Sequence, residues 1–498
     1  MSDKENFIKS SLVLAFKNAF DIDVKLENIE IERPKDFNHG DYSSNCALKF
    51  ASQLKLPPQV LAEKLVSVLD KNEKFKRVEV ASPGFINFYL SNESLYNTLK
   101  NVDSNFGKSD KLKGKKILIE HTSPNPTKAY HIGHFKNTVT GLSISYLFEA
   151  MGALVFRDCI NNNRGIAISK MMWGYLTFGR KDGKFFDFDI RYWYENKDEW
   201  MVPESNKNSG RFIAKFYNLG SNEYEQNAKA KEEMEQLVRD WEAEDEKVWE
   251  LWRITQKWVW DEYEYILKRV GGWKFDKIWN EHEIYKMGKQ FVEEGVRKGI
   301  FIKLEDGAIV SNLKEEFGLP DTILMKRDGT SLYITQDIAL TYLKRKTFDP
   351  DEMNWVIGPE QSLAMKQMFA VCSQLGFGKF EDFHHIPYGF ILLKGEKGPI
   401  KMSSRKGNVL YMEDLIEQSK KDLKKHLKSN FSEEEADLIT EKIAIGALKY
   451  SLLKVNRTQD MVFDYETTIN FEGDSGPYIL YTFTRARSVL SQAEWSKK

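Results

Sequence analysis

Val60, Leu61, Leu65 and Leu69 recur at nearly helical spacing, and the prolines of "KLPPQ" just before them suit a helix start. "RVEVASPGFINFYL" predicts two short strands joined by a turn at Pro83-Gly84. Residues 1 to about 100 therefore read as a small α+β unit, closed by the charged, turn-prone "SDKLKGKK". "ILIEHTSP" then has the character of a buried strand ended by Pro124 and Pro126. Val139, Leu142 and Leu147 give a mixed helical face that stops near Gly152. Strand, loop, helix is the opening unit of a parallel α/β sheet.

Residues 170 to 300 change character. Met234, Leu237, Val238 and Trp241 fall at i, i+3, i+4 and i+7, and Val248, Leu251, Trp252 and Thr255 repeat the spacing. Nine of the twelve tryptophans lie between Trp193 and Trp279, which predicts a helical insertion whose aromatics form a core of its own. Between Ile302 and His385 strand-like runs return in "AIVSNL", "TILMKR", "SLYIT" and "NWVIG", predicting a resumed parallel sheet. From Ser432 onward the pattern reads as helical. A length of 498 residues predicts about three domains.

Composition narrows the class. Apolar content of 41% against 30% charged fits a globular chain, not a disordered one. No run of 18 or more apolar residues predicts a membrane span, and the N-terminus lacks the layout of a signal peptide. Cys46, Cys159 and Cys372 are far apart and form no CxxC pair, which points to a reducing compartment and away from structural zinc. A net charge of −1 means that any nucleic acid would meet a local basic face.

Two segments carry candidate chemistry. "SPNPTKAYHIGHFKN" places His131 and His134 three apart near the start of a helix, where free N–H groups and the positive dipole end suit an anion. Gly133 between them would let a flat ligand approach the backbone, so the segment fits a nucleotide as well as it fits two structural histidines. "IKMSSRKGNV" is basic, and Lys401, Arg405 and Lys406 suit a polyphosphate; a solvated surface turn is the other reading. Neither segment is a Walker A loop or an HExxH zinc site.

Taken as an ordered pair, "HIGH" after a strand and "KMSSR" far downstream resemble the two signatures of the class I aminoacyl-tRNA synthetases, which flank ATP on a Rossmann-type sheet. The forms "SPNPTKAYHIGH", "KMSSRKGNV", "KRDGTSLYITQDIAL" and "NFEGDSGPYILYTFTRARS" are similar to the arginyl-tRNA synthetase family, as are "HGDYSSNCALKFASQL", "VEVASPGFINFYL" and "RDWEAEDEKVWELW". The matches span nearly the whole chain. The resemblance implies an α/β protein in which a Rossmann-type parallel-sheet catalytic domain occupies residues 109–430, with the Trp-rich insertion at about 170–300. It implies an α+β N-terminal domain over 1–108 that contacts the tRNA elbow. Residues 431–498 would be a helical connective region and the start of an α-helical anticodon-binding domain.

The same resemblance implies an arginine-tRNA ligase and assigns roles. His131 and His134 would donate hydrogen bonds to the triphosphate, and Lys401, Arg405 and Lys406 would hold the leaving pyrophosphate. ATP would lie against His131, Ile132, Gly133, His134, Lys401, Met402, Ser403 and Ser404. Glu120, Tyr333 and Asp337 would bind the guanidinium of arginine, with Ser123, Asn125 and Gln361 in the rest of the arginine site. ATP with Mg²⁺, L-arginine and tRNA(Arg) are the expected partners. The expected protein is a cytoplasmic monomer without membrane contact or structural metal. The pattern departs from the family at three places. After "FTRARSVLSQAEWSKK" the helical bundle would be missing or supplied by a separate chain, no histidine stands near Ala364, and "NNNRG" replaces the commoner acidic pairing. A tRNA-binding module without charging activity, or another class I synthetase, are the alternatives.

Overall fold

The computed structural model describes residues 3–34, 36–69, 74–329, 332–395, 398–402, 408–427 and 431–492. It divides into two units, 1–108 and 109–498. The first contains α1 (Asp3–Phe20), β1 (Tyr42–Ser44), α2 (Cys46–Leu54), α3 (Pro58–Val68), β2 (Phe75–Ala81), β3 (Phe85–Leu90) and α4 (Asn92–Lys100). Pro58 opens α3, where its missing N–H breaks no helical bond. The strands form an antiparallel sheet in the order β1-β3-β2. Ile8, Leu12, Phe16, Leu61, Leu65, Ile86 and Phe88 are fully buried between sheet and helices.

The second unit is built on β4 (Lys116–Glu120), α5 (Ile132–Ala150) and β5 (Leu154–Asn161). The helices α6 (Ile166–Phe178), α7 (Ile190–Glu195), α8 (Ser209–Gln226), α9 (Ala228–Glu242) and α10 (Glu246–Arg269) follow. Next come β6 (Lys277–Asn280), α11 (Glu281–Arg297), β7 (Ile302–Lys303), β8 (Ile309–Ser311), α12 (Lys314–Phe317), β9 (Thr322–Met325) and α13 (Tyr333–Phe348). The chain continues through β10 (Glu352–Val356), α14 (Ser362–Gln374), β11 (Phe383–Ile386), β12 (Ile391–Gly395) and β13 (Gly398–Lys401). It ends with α15 (Met412–Lys424), α16 (Glu433–Leu453), β14 (Met461–Phe463), α17 (Tyr465–Ile469) and α18 (Gly476–Gln492).

β11-β10-β4-β5-β6 make one sheet of five parallel strands. The strand order reverses at β4 and β10, so the crevice beyond their carboxyl ends is where an open α/β sheet binds its ligand. This is the parallel α/β sheet that the pattern predicts and the Rossmann-type class that the resemblance implies.

Four local expectations are corrected. "AIVSNL" and "TILMKR" do not join the parallel sheet. β7, β8 and β9 form a separate antiparallel sheet, their short strands turning back at once. Ser331 of "SLYIT" lies outside the described residues, and the rest is not a strand: Leu332 caps helix α13, which begins at Tyr333. Leu332 N–H donates to Thr335 Oγ1 at 3.3 Å, and that hydroxyl donates to Leu324 O at 2.6 Å. Local bonding and packing thus override the β-branched composition. The region after Ser432 also contains the strand β14, paired with β12. Finally, the aromatics of α6–α10 do not form a core of their own. Trp173, Trp193, Trp200, Trp241 and Trp252 share one cluster with Tyr130, Ile132 and Phe135 near the start of α5 and with Met412 and Ile416 on α15.

Candidate active site

β4 ends at Glu120, and the chain then crosses the carboxyl end of the sheet before entering α5. Thr122 and Ser123 adopt positive φ there, 72° and 22°, which costs strain in a non-glycine residue. Asn137 holds this bend: its Oδ1 accepts from Thr122 N–H at 2.5 Å and its Nδ2 donates to Val356 O at 2.7 Å, tying β4 to β10.

His131 is the N-cap of α5. Its Nδ1 accepts from Gly133 N–H at 3.1 Å and His134 N–H at 3.4 Å, and His131 N–H donates to His134 Nδ1 at 3.4 Å. The two rings stack at 3.8 Å. With both Nδ1 atoms accepting, each neutral imidazole carries its proton on Nε2. Burial lowers both pKa values, His131 to about 4 and His134 well below its ordinary value, with Lys128 adding to the effect at each. The pair therefore offers N–H donors without positive charge at neutral pH. Gly133 is required here because a Cβ would stand 2.9 Å from the His131 ring.

The chain just after the second signature segment pairs with the first through the backbone. Ile132 N–H donates to Leu410 O at 3.0 Å and Met412 N–H to Tyr130 O at 3.2 Å, with His131 and Tyr411 forming an antiparallel bridge. A cavity of about 580 Å³ opens between them, lined by His131, Gly133, His134, Lys401 and Met402. Ile132 turns its side chain into the core, fully buried. Ser403, Ser404, Arg405 and Lys406 lie outside the described residues.

Motif reading missed several lining residues: Lys128, Lys136, Tyr217, Asn218, Glu360 and Tyr388. Lys136 is buried, and its Nζ has no hydrogen-bond partner among the described residues. It lies three residues after Gly133 on the same helix face, a spacing that could have flagged it. Tyr217 and Asn218 come from α8 in the insertion and carry no local signal. Glu360 is the one acid among the described lining residues, against three lysines, a charge balance suited to a polyphosphate.

The acidic residues gather apart from that cavity. Glu120 is buried; Ser123 Oγ donates to its Oε1 at 2.8 Å and Lys344 Nζ to its Oε2 at 2.5 Å. Lys344 Nζ also meets Asp158 Oδ2 at 2.9 Å. Asp337, half-buried on α13, receives no hydrogen bond at its carboxylate from a described residue; burial and then Glu120 push its pKa up to about 7, with Lys344 opposing. Tyr333, one turn earlier, is 79% exposed. Burial and then Glu281, at the start of α11, raise the pKa of Tyr333; Glu281 adds to the rise at Asp337, and its own is raised to about 7 by burial. The close approach of α11 to α13 rests on Gly288, where a Cβ would stand 2.0 Å from Thr335 O. Asp337 thus interacts electrostatically with both Glu120 and Tyr333, while Asn125 and Gln361 lie exposed on the loops after β4 and β10.

Comparison with known proteins fits this geometry. The family model for the catalytic domain of class I (R) tRNA synthetases matches residues 97–168 and 182–465, and that for the arginyl-tRNA synthetase N-terminal domain matches 6–90. The chain belongs to the arginyl-tRNA synthetase family. The arginine–tRNA ligase of Treponema denticola is 35% identical over 94% of this chain and 77% of that relative. That of Borreliella afzelii is 32% identical over 99% of the chain and 80% of the relative. The solved arginyl-tRNA synthetase of Thermus thermophilus shares the family's fold with a TM-score of 0.73 at 20% identity, covering 99% of this chain and 82% of that one.

Proposed function

We infer that this chain is an arginine–tRNA ligase, and propose that it works through the two clusters described above. ATP, L-arginine and tRNA(Arg) are its substrates. The observation that carries the site assignment is the single cavity lined by the stacked imidazoles and by Lys401 and Met402, with Lys401 held on β13 by its pairing with β12.

In this reading the carboxylate of arginine attacks the α-phosphorus of ATP in line, forming the acyl–phosphate bond as pyrophosphate leaves. A ribose hydroxyl of the terminal tRNA adenosine then attacks the acyl carbon and AMP departs. Neither step requires a covalent enzyme intermediate, so positioning and charge stabilisation do the catalytic work. The Nε2–H groups of His131 and His134 donate to phosphate oxygens, while Lys128, Lys136, Lys401, Arg405 and Lys406 neutralise the triphosphate and hold the pyrophosphate. Met402, Ser403 and Ser404 and the backbone at Ile132 and Gly133 complete the ATP contacts. Mg²⁺ arrives with ATP and is held mainly by phosphates and water; among the described residues no cluster of three or more His, Cys, Asp or Glu could hold a metal ion. Arginine lies with its guanidinium at Tyr333, Asp337 and Glu281 and beside Glu120, and its other end at Ser123, Asn125 and Gln361. Residues 1–108 contact the tRNA elbow, and residues from 431 lead toward the anticodon. No helix among the described residues is long and apolar enough to cross a membrane, and we place the protein in the cytoplasm as a monomer.

ATP–pyrophosphate exchange with arginine, lysine and citrulline, each with and without total tRNA, tests the reading. Arginine alone should support exchange, because citrulline leaves buried carboxylates unpaired at a cost of ~2–5 kcal/mol and lysine lacks the planar fork. Equal exchange with all three would overturn the pocket assignment.

A further inference from the structure

Lys344 is 1% exposed and lies on α13, two turns beyond Asp337 on the same face. It sits over a row of in-register residues crossing three parallel strands: Trp355 on β10, Glu120 on β4 and Asp158 on β5. Its Nζ binds Glu120 Oε2 at 2.5 Å and Asp158 Oδ2 at 2.9 Å, and stands 5.1 Å from the Trp355 ring. Trp279 Nε1 donates to the same Asp158 oxygen at 2.8 Å. Two carboxylates side by side on one sheet face repel, and the cation between them makes the row tolerable.

Resting on the ligase reading, we propose that Lys344 is the built-in counter-cation of the arginine pocket, a positioning residue that fixes Glu120 and Asp158. Asp337 is then the carboxylate which the incoming guanidinium must neutralise. Both oxygens of Glu120 already have internal partners, Ser123 and Lys344. Asp337 has no such partner among the described residues and faces an excess of negative charge from Glu120 and Glu281. Arg164 offsets part of the charge of Glu281, but its guanidinium is also engaged by Glu242 at 2.6 Å and lies over the Tyr285 ring at 3.8 Å. Specificity for a cation thus comes from a charge count: Lys344 settles the deep pair of acids, and the substrate settles the shallow one.

Arginine-dependent ATP–pyrophosphate exchange with tRNA present, followed against pH in wild type, Lys344→Met, Lys344→Arg and Asp158→Asn, tests this. Lys344 opposes protonation of Asp337, so its loss should move the acid limb of kcat/KM for arginine upward by about one pH unit. That shift is a tenfold loss on the limb. KM for ATP should stay within about twofold, because the ATP cavity is separate. Lys344→Arg should restore the limb. Asp158→Asn, which keeps the shape, should move it downward by leaving Lys344 to Glu120 alone; if Lys344→Met does not fold, this opposite shift carries the test. Limbs unmoved in the folded variants would overturn the proposal. Absence of arginine-dependent exchange in wild type would overturn the ligase reading itself, a result distinct from an unmoved limb.

Discussion

At the scale of single residues, the site separates groups that titrate near neutrality from groups that do not. Burial holds His131 to about 4 and His134 well below its ordinary range, so both stay neutral donors well below pH 7. Asp337 is raised to about 7 by burial and Glu120, and Glu281 to about 7 by burial. A guanidinium needs ionised carboxylates, so arginine affinity should be present above that pKa and lost as pH falls through it. Among the described residues the groups facing Asp337 are Glu120, Glu281, Lys344, Tyr333 and Cys372, and of these Lys344 alone opposes its protonation. The expected result is an acid limb near pH 7 in kcat/KM for arginine, with KM for ATP nearly flat from about pH 5.5 to 8. An ATP limb in that window beyond the one set by protonation of ATP's own terminal phosphate would mean that the histidines carry charge there. The histidine pair was legible in the sequence because its chemistry is local: a cap, a glycine and a helix start. Lys344 was not, because within "LKRK" it looks like any helix-surface lysine, and its partner Glu120 lies 224 positions away.

At the scale of elements, one turn of α10 braces the loop that enters α5. Glu262, 3% exposed, accepts Tyr130 N–H at 3.0 Å and Arg211 N–H at 2.9 Å, the latter at the start of α8. Tyr263 donates to Lys128 O at 3.2 Å and packs edge-on against Tyr130. α8 in turn lends Tyr217 and Asn218 to the ATP cavity. Glu262→Ala would leave the buried Tyr130 N–H and the partly buried Arg211 N–H unsatisfied at ~1–3 kcal/mol each, so urea unfolding should show a loss of ~2–6 kcal/mol together with slower arginine activation. Glu264→Ala, in the same turn but bonded among the described residues only to Lys268 in an exposed pair, should cost at most ~0.5 kcal/mol. Equal effects would show that the turn matters only as helix. The helical period of α9 and α10 was plain in the sequence, since i, i+3, i+4 spacing reports which face is buried. It does not report what that face is buried against. The insertion's core therefore proved continuous with α5 and α15.

At the scale of the whole molecule, legibility follows the range of the interactions. Residues 75–90 pair with near neighbours, so the β2–β3 turn could be read directly. The order β11-β10-β4-β5-β6 pairs β4 with β10, distant along the chain, Ile117 opposite Glu352, and the antiparallel trio β7–β9 carries the same short apolar runs as a parallel strand would. Range also governs how the molecule comes apart. Residues 1–108 hold a closed core of Ile8, Leu12, Phe16, Leu61, Leu65, Ile86 and Phe88, all fully buried, within the ordinary size of a domain. Loop-closure costs there are modest because the partners are close in sequence. Expressed alone, residues 1–108 should fold with a single thermal transition and a dispersed amide spectrum. Phe88 packs against Phe75 at 5.3 Å between ring centres, and Phe88→Ala should cost ~3–5 kcal/mol, enough to unfold much of that unit at 37 °C. In the full chain the same substitution should lower only the transition belonging to residues 1–108 and leave a second transition in place. One merged transition, shifted as a whole, would show that the two cores do not unfold independently.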